Sequence, residues 1–247
     1  MIKRVVIESA STQASKPAET QLKVLAFTTS RQRPYMLRCC LLQMQSQTYP
    51  VDHAIFINTP EAVSETDPAN SISLLQDITP APKSAIILGY GKSISPHHNH
   101  IAAMSLANID DYDLFLKIDD DDIYKTGYVA EVVTDFIKNK WDFSGTFSNG
   151  LLHDNHWLPN QKHKSLGLQQ EDIDLGVLEM MPPSYALSRN GIKKIQQAEI
   201  DPTDTVFEDI LWRRLLTEDP QIKVQLRAKS SLIYQVHDKN FSRSGLS

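Results

Sequence analysis

Short continuous apolar runs alternate along the chain with apolar stripes at helical spacing, and this alternation sets the fold class. Lys23 to Phe27 contains the unbroken run Val24-Leu25-Ala26-Phe27 and ends in Thr28-Thr29-Ser30, the pattern of a buried strand. After Arg33-Pro34, the residues Leu37, Cys40, Leu41 and Met44 recur at i, i+3, i+4 and i+7. That spacing predicts an amphipathic helix opened by a proline and stopped at Gln47-Thr48-Tyr49-Pro50. Ala54-Ile55-Phe56-Ile57 predicts the next strand, so the order strand, helix, strand marks the start of a parallel α/β sheet. Further on, Ser84 to Leu88 and Leu114 to Ile118 read as strands. Ile101 to Ile109 reads as a helix, as does the stripe Val129, Val132, Val133, Phe136 and Ile137, and a short helix is expected after Asp67-Pro68. Glu8 to Gln21 holds no Val, Leu, Ile or aromatic residue. Residues 1–21 are therefore expected to be flexible or loosely attached, and residues 22–247 to form one domain.

Composition narrows the picture. A chain of 247 residues, 41% hydrophobic, is long enough to bury a full core. Its net charge of −5 disfavours nucleic acid as a partner, since such binding depends on neutralising phosphates. No apolar run approaches a membrane span, and Val5-Val6-Ile7 is too short for a secretory signal. The two cysteines, Cys39 and Cys40, are adjacent, which suits neither a structural disulfide nor a four-ligand zinc site. Reduced thiols on a helix, in the cytoplasm, are the expectation.

The charge is unevenly placed. Residues 110–122 hold seven aspartates and one lysine, more negative charge than the whole chain nets. Four of those aspartates, Asp119 to Asp122, directly follow the strand ending at Ile118. Adjacent carboxylates repel by about 1 kcal/mol in a water-like dielectric and by more when partly buried. A solvated loop would relieve that repulsion. So would a hard divalent cation, which takes one or two carboxylates plus substrate phosphates, and ligands of open α/β sheets bind at carboxyl ends of strands. On the residues alone both readings stand. Histidine offers less. Neighbouring rings in His97-His98-Asn99-His100 do not converge on one ion, and His153, His156 and His163 read as residues of a polar loop or hairpin, solvated by default. Gly89-Tyr90-Gly91-Lys92 is too short for a dinucleotide loop.

Four segments, in order, resemble the motifs of family 2-like GT-A fold glycosyltransferases. RPYMLRCCLLQMQSQTYP resembles the opening helix, FLKIDDDDIYKTGY the D-x-D strand, FEDILWRR the E-D motif, and YQVHDKN the late histidine segment. The resemblance covers roughly residues 22–247. It implies a single GT-A (nucleotide-diphospho-sugar transferase) α/β domain, with a mostly parallel central sheet flanked by helices. It also implies a nucleotide-sugar donor, expected to be a UDP-sugar, and Mn²⁺ or Mg²⁺ as cofactor. Aligned on Ile123-Tyr124, Asp121 becomes the metal ligand and Asp119 the first residue of the motif, with His237 as a further ligand. Thr28, Ser30, Arg33, Asn58, Asn99, Asp119 and Asp120 fall on the donor side. Asn58 stands where the family usually carries an acidic residue that reads the base.

Inverting transfer needs a base for the acceptor hydroxyl, and Glu208 and Asp209 are the candidates. Thr205 and Glu208 have the spacing of a capping box, which gives Glu208 a structural task. The family places its base at the aspartate of E-D, so Asp209 is the expected base. Trp212, Arg213 and Asn240 are expected near acceptor or phosphate. Residues 221–247 carry five basic side chains against one aspartate. An anionic glycan or lipid-linked acceptor, met at the inner face of a membrane during cell-envelope polysaccharide synthesis, fits that charge. Two other classes remain: a GT-A-like domain that binds nucleotide or glycan without turnover, and a sugar nucleotidyltransferase.

Overall fold

The computed structural model describes residues 3–8, 21–31, 33–58, 78, 80, 84–91, 95–146, 150–153, 156–159, 180, 182–199, 208–227 and 231–236. The chain begins with β1 (Lys3–Glu8), β2 (Val24–Ser30), α1 (Pro34–Gln45), β3 (Asp52–Asn58), β4 (Ala85–Gly91) and α2 (Pro96–Met104). It continues through β5 (Leu114–Lys117), β6 (Ile123–Tyr124), α3 (Tyr128–Asn139), β7 (Phe143–Thr146), β8 (Gly150–His153) and β9 (His156–Pro159). The last elements are β10 (Ala186–Ser188), α4 (Arg189–Gln196), α5 (Glu208–Thr217), β11 (Val224–Arg227) and β12 (Leu232–Val236).

The main sheet has the order β1-β4-β3-β2-β5-β10-β7-β11. Its centre, β4-β3-β2-β5, is parallel as expected, whereas β1 at the edge and β10 between β5 and β7 run antiparallel. The chain steps outward from β2 to β3 to β4, then returns to the other side of β2 as β5. That reversal opens a crevice beyond the carboxyl ends of β2 and β5, the usual ligand position in such sheets. A second sheet, β6-β12-β8-β9, starts immediately after the acidic run.

Alternation along the strands divides the core between the two faces. Leu25, Phe27, Phe56 and Phe115 pack with Met104, Ile192, Ile195 and Trp212, residues of α2, α4 and α5. Val24, Ala26, Leu114 and Leu116 pack with Cys40, Met44, Val129 and Val132 of α1 and α3. Leu37 and Leu41 cover Ile55, Ile57 and Leu88. Both thiols are free, Cys40 buried and Cys39 exposed. Among the described residues no helix is long and apolar enough to cross a membrane.

Three expectations need correction or fall out of view. Lys3–Glu8 does not trail as a loose lead-in; it pairs with β4, because its apolar Ile7 packs against the core beside α1. α2 starts at Pro96 rather than Ile101, since Ser95 caps it (its Oγ accepts from the His98 N–H at 3.3 Å) and Pro96 supplies the first helical residue. The helix expected after Asp67-Pro68 lies outside the described residues.

The opening motif has a structural cause. Gln43 Oε1 accepts from the Tyr124 N–H at 2.6 Å, and Gln47 Oε1 accepts from the Val129 N–H at 3.0 Å. The Thr48 N–H donates to Thr126 O at 2.9 Å. The end of α1 and the residues just beyond it thus hold the backbone that follows the four aspartates.

Beneath the crevice His53 is fully buried and its Nε2 lies 2.7 Å from Thr28 Oγ1. Burial pushes its pKa down to about 3, so the folded state holds it neutral. The stability this neutral ring supports is complete above the unfolded value of about 6.5 and is lost as pH falls toward 3, at about 1.4 kcal/mol per pH unit. Urea denaturation between pH 7 and pH 4 should show a shallower loss for His53→Gln than for the wild type, although the variant is less stable at pH 7. Equal slopes would contradict this role for His53.

Candidate active site

The crevice is lined from both sides of the sheet reversal. At the end of β2, Ser30 Oγ donates to Asp120 Oδ2 at 2.5 Å. Just before α1, Arg33 Nη1 donates to Asp121 Oδ2 at 2.6 Å, and its Nη2 stands 2.6 Å from Asp120 Oδ1. Asp120 and Asp122 are buried. Burial drives the Asp120 carboxyl up to about 7 against the pull of Arg33. The Asp119 N–H donates to Tyr124 Oη at 2.9 Å, and that hydroxyl donates to Pro183 O at 3.1 Å. The start of the acidic run is therefore pinned to the turn at Pro182–Ser184.

On the opposite face of β5, Lys117 ties the acidic run to α5. It is 2% exposed, its Nζ donates to Asp119 Oδ1 at 2.6 Å, and the same Nζ lies 3.8 Å from Glu208 Oε1. Burial alone would lower its pKa; Asp119 and Glu208 outweigh burial and raise it, so the ammonium stays charged. Burial also works against the charged form of Asp119, and Lys117 reverses that, holding the carboxyl below its ordinary range. Glu208 and Asp209 go the other way. Burial raises both, and Glu208 raises Asp209 further. His100 Nδ1 lies 3.8 Å from Glu208 Oε1, and burial with the Lys117 charge lowers the ring to about 4, so it is neutral.

Several expected positions move once the side chains are placed. Glu208 opens α5 and faces Lys117 and His100, a charge-bearing place rather than only the capping task assigned from Thr205, which lies outside the described residues. Asp209 is half-buried beside it; its Oδ1 accepts from the Ile210 N–H at 2.8 Å. Thr28 is withdrawn from the donor side, being fully buried against His53. Trp212 is likewise no acceptor contact. It is fully buried, donates from Nε1 to His97 Nδ1 at 2.8 Å and packs edge-on against His100 at 5.4 Å. Ile210 is exposed on α5, and Trp212 and Leu216 are its buried residues. Arg213 is half-buried on α5 and Asn58 half-buried at the end of β3. Asn99 lies on α2, its Oδ1 buried without a hydrogen-bond partner. His237 and Asn240 lie outside the described residues. Lys117 drew no role from the sequence, although a lysine inside Leu114-Phe115-Leu116-Lys117-Ile118, next to four acids, was the signal.

The donor set suits a hard cation that shares its shell with another ligand. Asp119 and Asp121 side chains are 28% and 11% exposed, so both carboxylates can be reached from the crevice. Among the described residues no group of three or more His, Cys, Asp or Glu is placed to hold a metal alone. Two carboxylates with the remaining positions left to phosphate and water match Mg²⁺ or Mn²⁺.

No protein-family model matches the chain, and no curated protein matches it by sequence. Solved structures do. S. aureus TarS 1-349 in complex with UDP-GlcNAc has a TM-score of 0.63 at 12% identity, covering 90% of this chain and 61% of that one. The same S. aureus protein with UDP gives 0.60 at 10% identity, over 87% and 61%. The mannosyltransferase PcManGT from Pyrobaculum calidifontis, in complex with GDP-Man and Mn²⁺, gives 0.60 at 8% identity, over 90% and 59%. This chain spans about three fifths of the length of those it matches. They are GT-A-type glycosyltransferases, and the likeness shows that this chain has the GT-A fold.

Lys117 should carry stability as well as charge. Lys117→Met leaves Asp119 and Glu208 without their shared ammonium. The cost should be on the order of 2 kcal/mol, less than the ~3–5 of a fully buried pair because Asp119 keeps some water. Urea unfolding at pH 7 measures it, and an unchanged midpoint would contradict the coupling.

Proposed function

We propose that the chain is a metal-dependent glycosyltransferase that moves a sugar from a nucleoside-diphosphate donor to a hydroxyl of a glycan or lipid-linked acceptor, with inversion. The observation that carries this reading is the meeting of two carboxylate groups at one crevice. Asp119 to Asp122 lie at the end of β5, Glu208-Asp209 lie at the start of α5, and Lys117 joins them. Asp121 and Asp119 are the residues to hold Mn²⁺ or Mg²⁺, with His237 assigned as a further ligand from sequence alone. When bound, the cation supplies Lewis-acid stabilisation of the negative charge that develops on the leaving diphosphate.

The chain's own residues supply the rest. Asp209 accepts the proton of the acceptor hydroxyl. Its half-buried place beside Glu208 raises its basicity, which favours proton removal near neutral pH. Lys117 holds Glu208 close to Asp119, and Tyr124 and Ser30 hold the acidic run against the sheet. Arg33 stands beside the diphosphate position as a permanent positive charge, and Asn99, with its orphaned Oδ1, is a contact for a donor hydroxyl. The nucleotide is either of the two carried by the neighbours, uridine or guanosine. Nucleotidyl transfer accounts less well for the site, because it requires no base on α5.

A panel of UDP- and GDP-sugars with MnCl₂, followed by release of nucleoside diphosphate, tests the reading. Asp209→Asn should lower turnover by about 10²- to 10⁴-fold while the donor dissociation constant stays unchanged. Because Asp209 acts ionised and its pKa is raised, the acid limb of the wild-type pH–rate profile should lie above the ordinary aspartate range, with activity falling as pH drops through it. Full turnover in Asp209→Asn would remove it as the base.

A further inference from the structure

Arg33 occupies Asp121, one of the two carboxylates proposed to hold a cation, together with its neighbour Asp120. Its guanidinium spans Asp121 Oδ2 and Asp120 Oδ1, both at 2.6 Å. A planar, permanently charged fork can bridge two carboxylates in this way, whereas an ammonium acts as a point charge. The two contacts differ in kind. The one to Asp121 is an aligned hydrogen bond, while Asp120 Oδ1 is buried yet has no hydrogen bond of acceptable geometry. Asp120 is held from its other oxygen by Ser30 and keeps its place whether or not Arg33 stays. Arg33 is a quarter exposed and lies at the junction of loop and helix, where no side chain caps α1. It is the movable partner of the pair.

We infer that Arg33 and a divalent cation are alternative counter-ions for Asp121, and that cation loading releases the guanidinium toward the donor diphosphate. The inference rests on the proposed function and adds an order of events to it. One guanidinium offsets a single charge in a run of four aspartates; a divalent cation offsets two and cannot share an oxygen with Arg33 without strong repulsion. Once displaced, the guanidinium remains within a side chain's length of the cation, and a diphosphate bound there presents oxygens in the geometry that arginine recognises bidentately. Nucleotide affinity then depends on the cation twice, by direct ligation and through the freed arginine.

The test uses the full chain and free Mn²⁺, read by the electron paramagnetic resonance signal of the aquo ion, with UDP and GDP as nucleotide probes. Without nucleotide, Arg33→Gln should bind Mn²⁺ about tenfold more tightly than the wild type, because the competing counter-ion is gone. With Mn²⁺ saturating, the same variant should bind the nucleoside diphosphate about tenfold more weakly. Arg33→Lys should fall between wild type and Arg33→Gln in both, and it serves alone if thermal melting shows Arg33→Gln unfolded. Mn²⁺ affinity equal to or below that of the wild type in the folded variants overturns the exchange. Nucleotide binding that persists in EDTA, with no Mn²⁺ bound by any form, overturns the exchange and leaves the donor site standing. Loss of both Mn²⁺ and nucleotide binding in the wild type itself overturns the glycosyltransferase reading on which the exchange rests.

Discussion

Negative charge crowded at the end of a buried strand is the constraint around which this molecule is organised. Asp119 to Asp122 cannot leave the crevice, because β5 is covered on both faces and the chain must re-enter the protein at Tyr124, which is buried. Side chains from β5, β2 and the start of α1 meet these carboxylates. Lys117 answers Asp119, Ser30 and Arg33 answer Asp120, and Arg33 also reaches Asp121. Burial raises the Asp120, Glu208 and Asp209 carboxyls, against the pull of Arg33 on the first and of Lys117 on the other two. Shifted carboxyls gathered in one crevice are the arrangement that functional sites commonly use.

The supporting structure follows from holding those charges in place. α1 packs its apolar stripe on the sheet, and Gln43 within it and Gln47 just beyond it fix the backbone after the acidic run. The Tyr124 hydroxyl fixes its beginning and joins it to Pro183. Lys117 carries the coupling through the sheet to α5, whose own position depends on Trp212 buried among His97, His100 and Phe27. A displacement of α5 would therefore be felt by the acidic run through one ammonium group.

Much of this could be read from the chain before any coordinates. Continuous apolar runs marked β2, β3 and β5, and the i, i+3, i+4, i+7 stripe marked α1, because burial on one or both faces leaves a direct imprint on residue spacing. The crevice was readable too, since carboxylates that directly follow a buried parallel strand stand where such sheets bind their ligands. Lys117 was not, because a buried lysine is stabilised only by its partners, and Glu208 lies 91 residues away in sequence. Trp212 was misread for a related reason: its ring fills a hole made by α2 histidines, and spacing along α5 alone does not reveal a partner on another helix. β1 escaped notice because six residues with a single apolar run carry little signal until β4 supplies their hydrogen bonds.

The central claim is that the acidic run at the end of β5 is where a divalent cation and a nucleoside diphosphate are held together. Crystals of the full chain grown with MnCl₂ and UDP or GDP, and measured for the anomalous signal of manganese, test it directly. The predicted result is one dominant peak bound by Asp121 and Asp119 and by diphosphate oxygens, with Asp209 facing the open side of the crevice. A bound nucleotide whose diphosphate lies away from these aspartates, or a manganese peak on other residues, would contradict it.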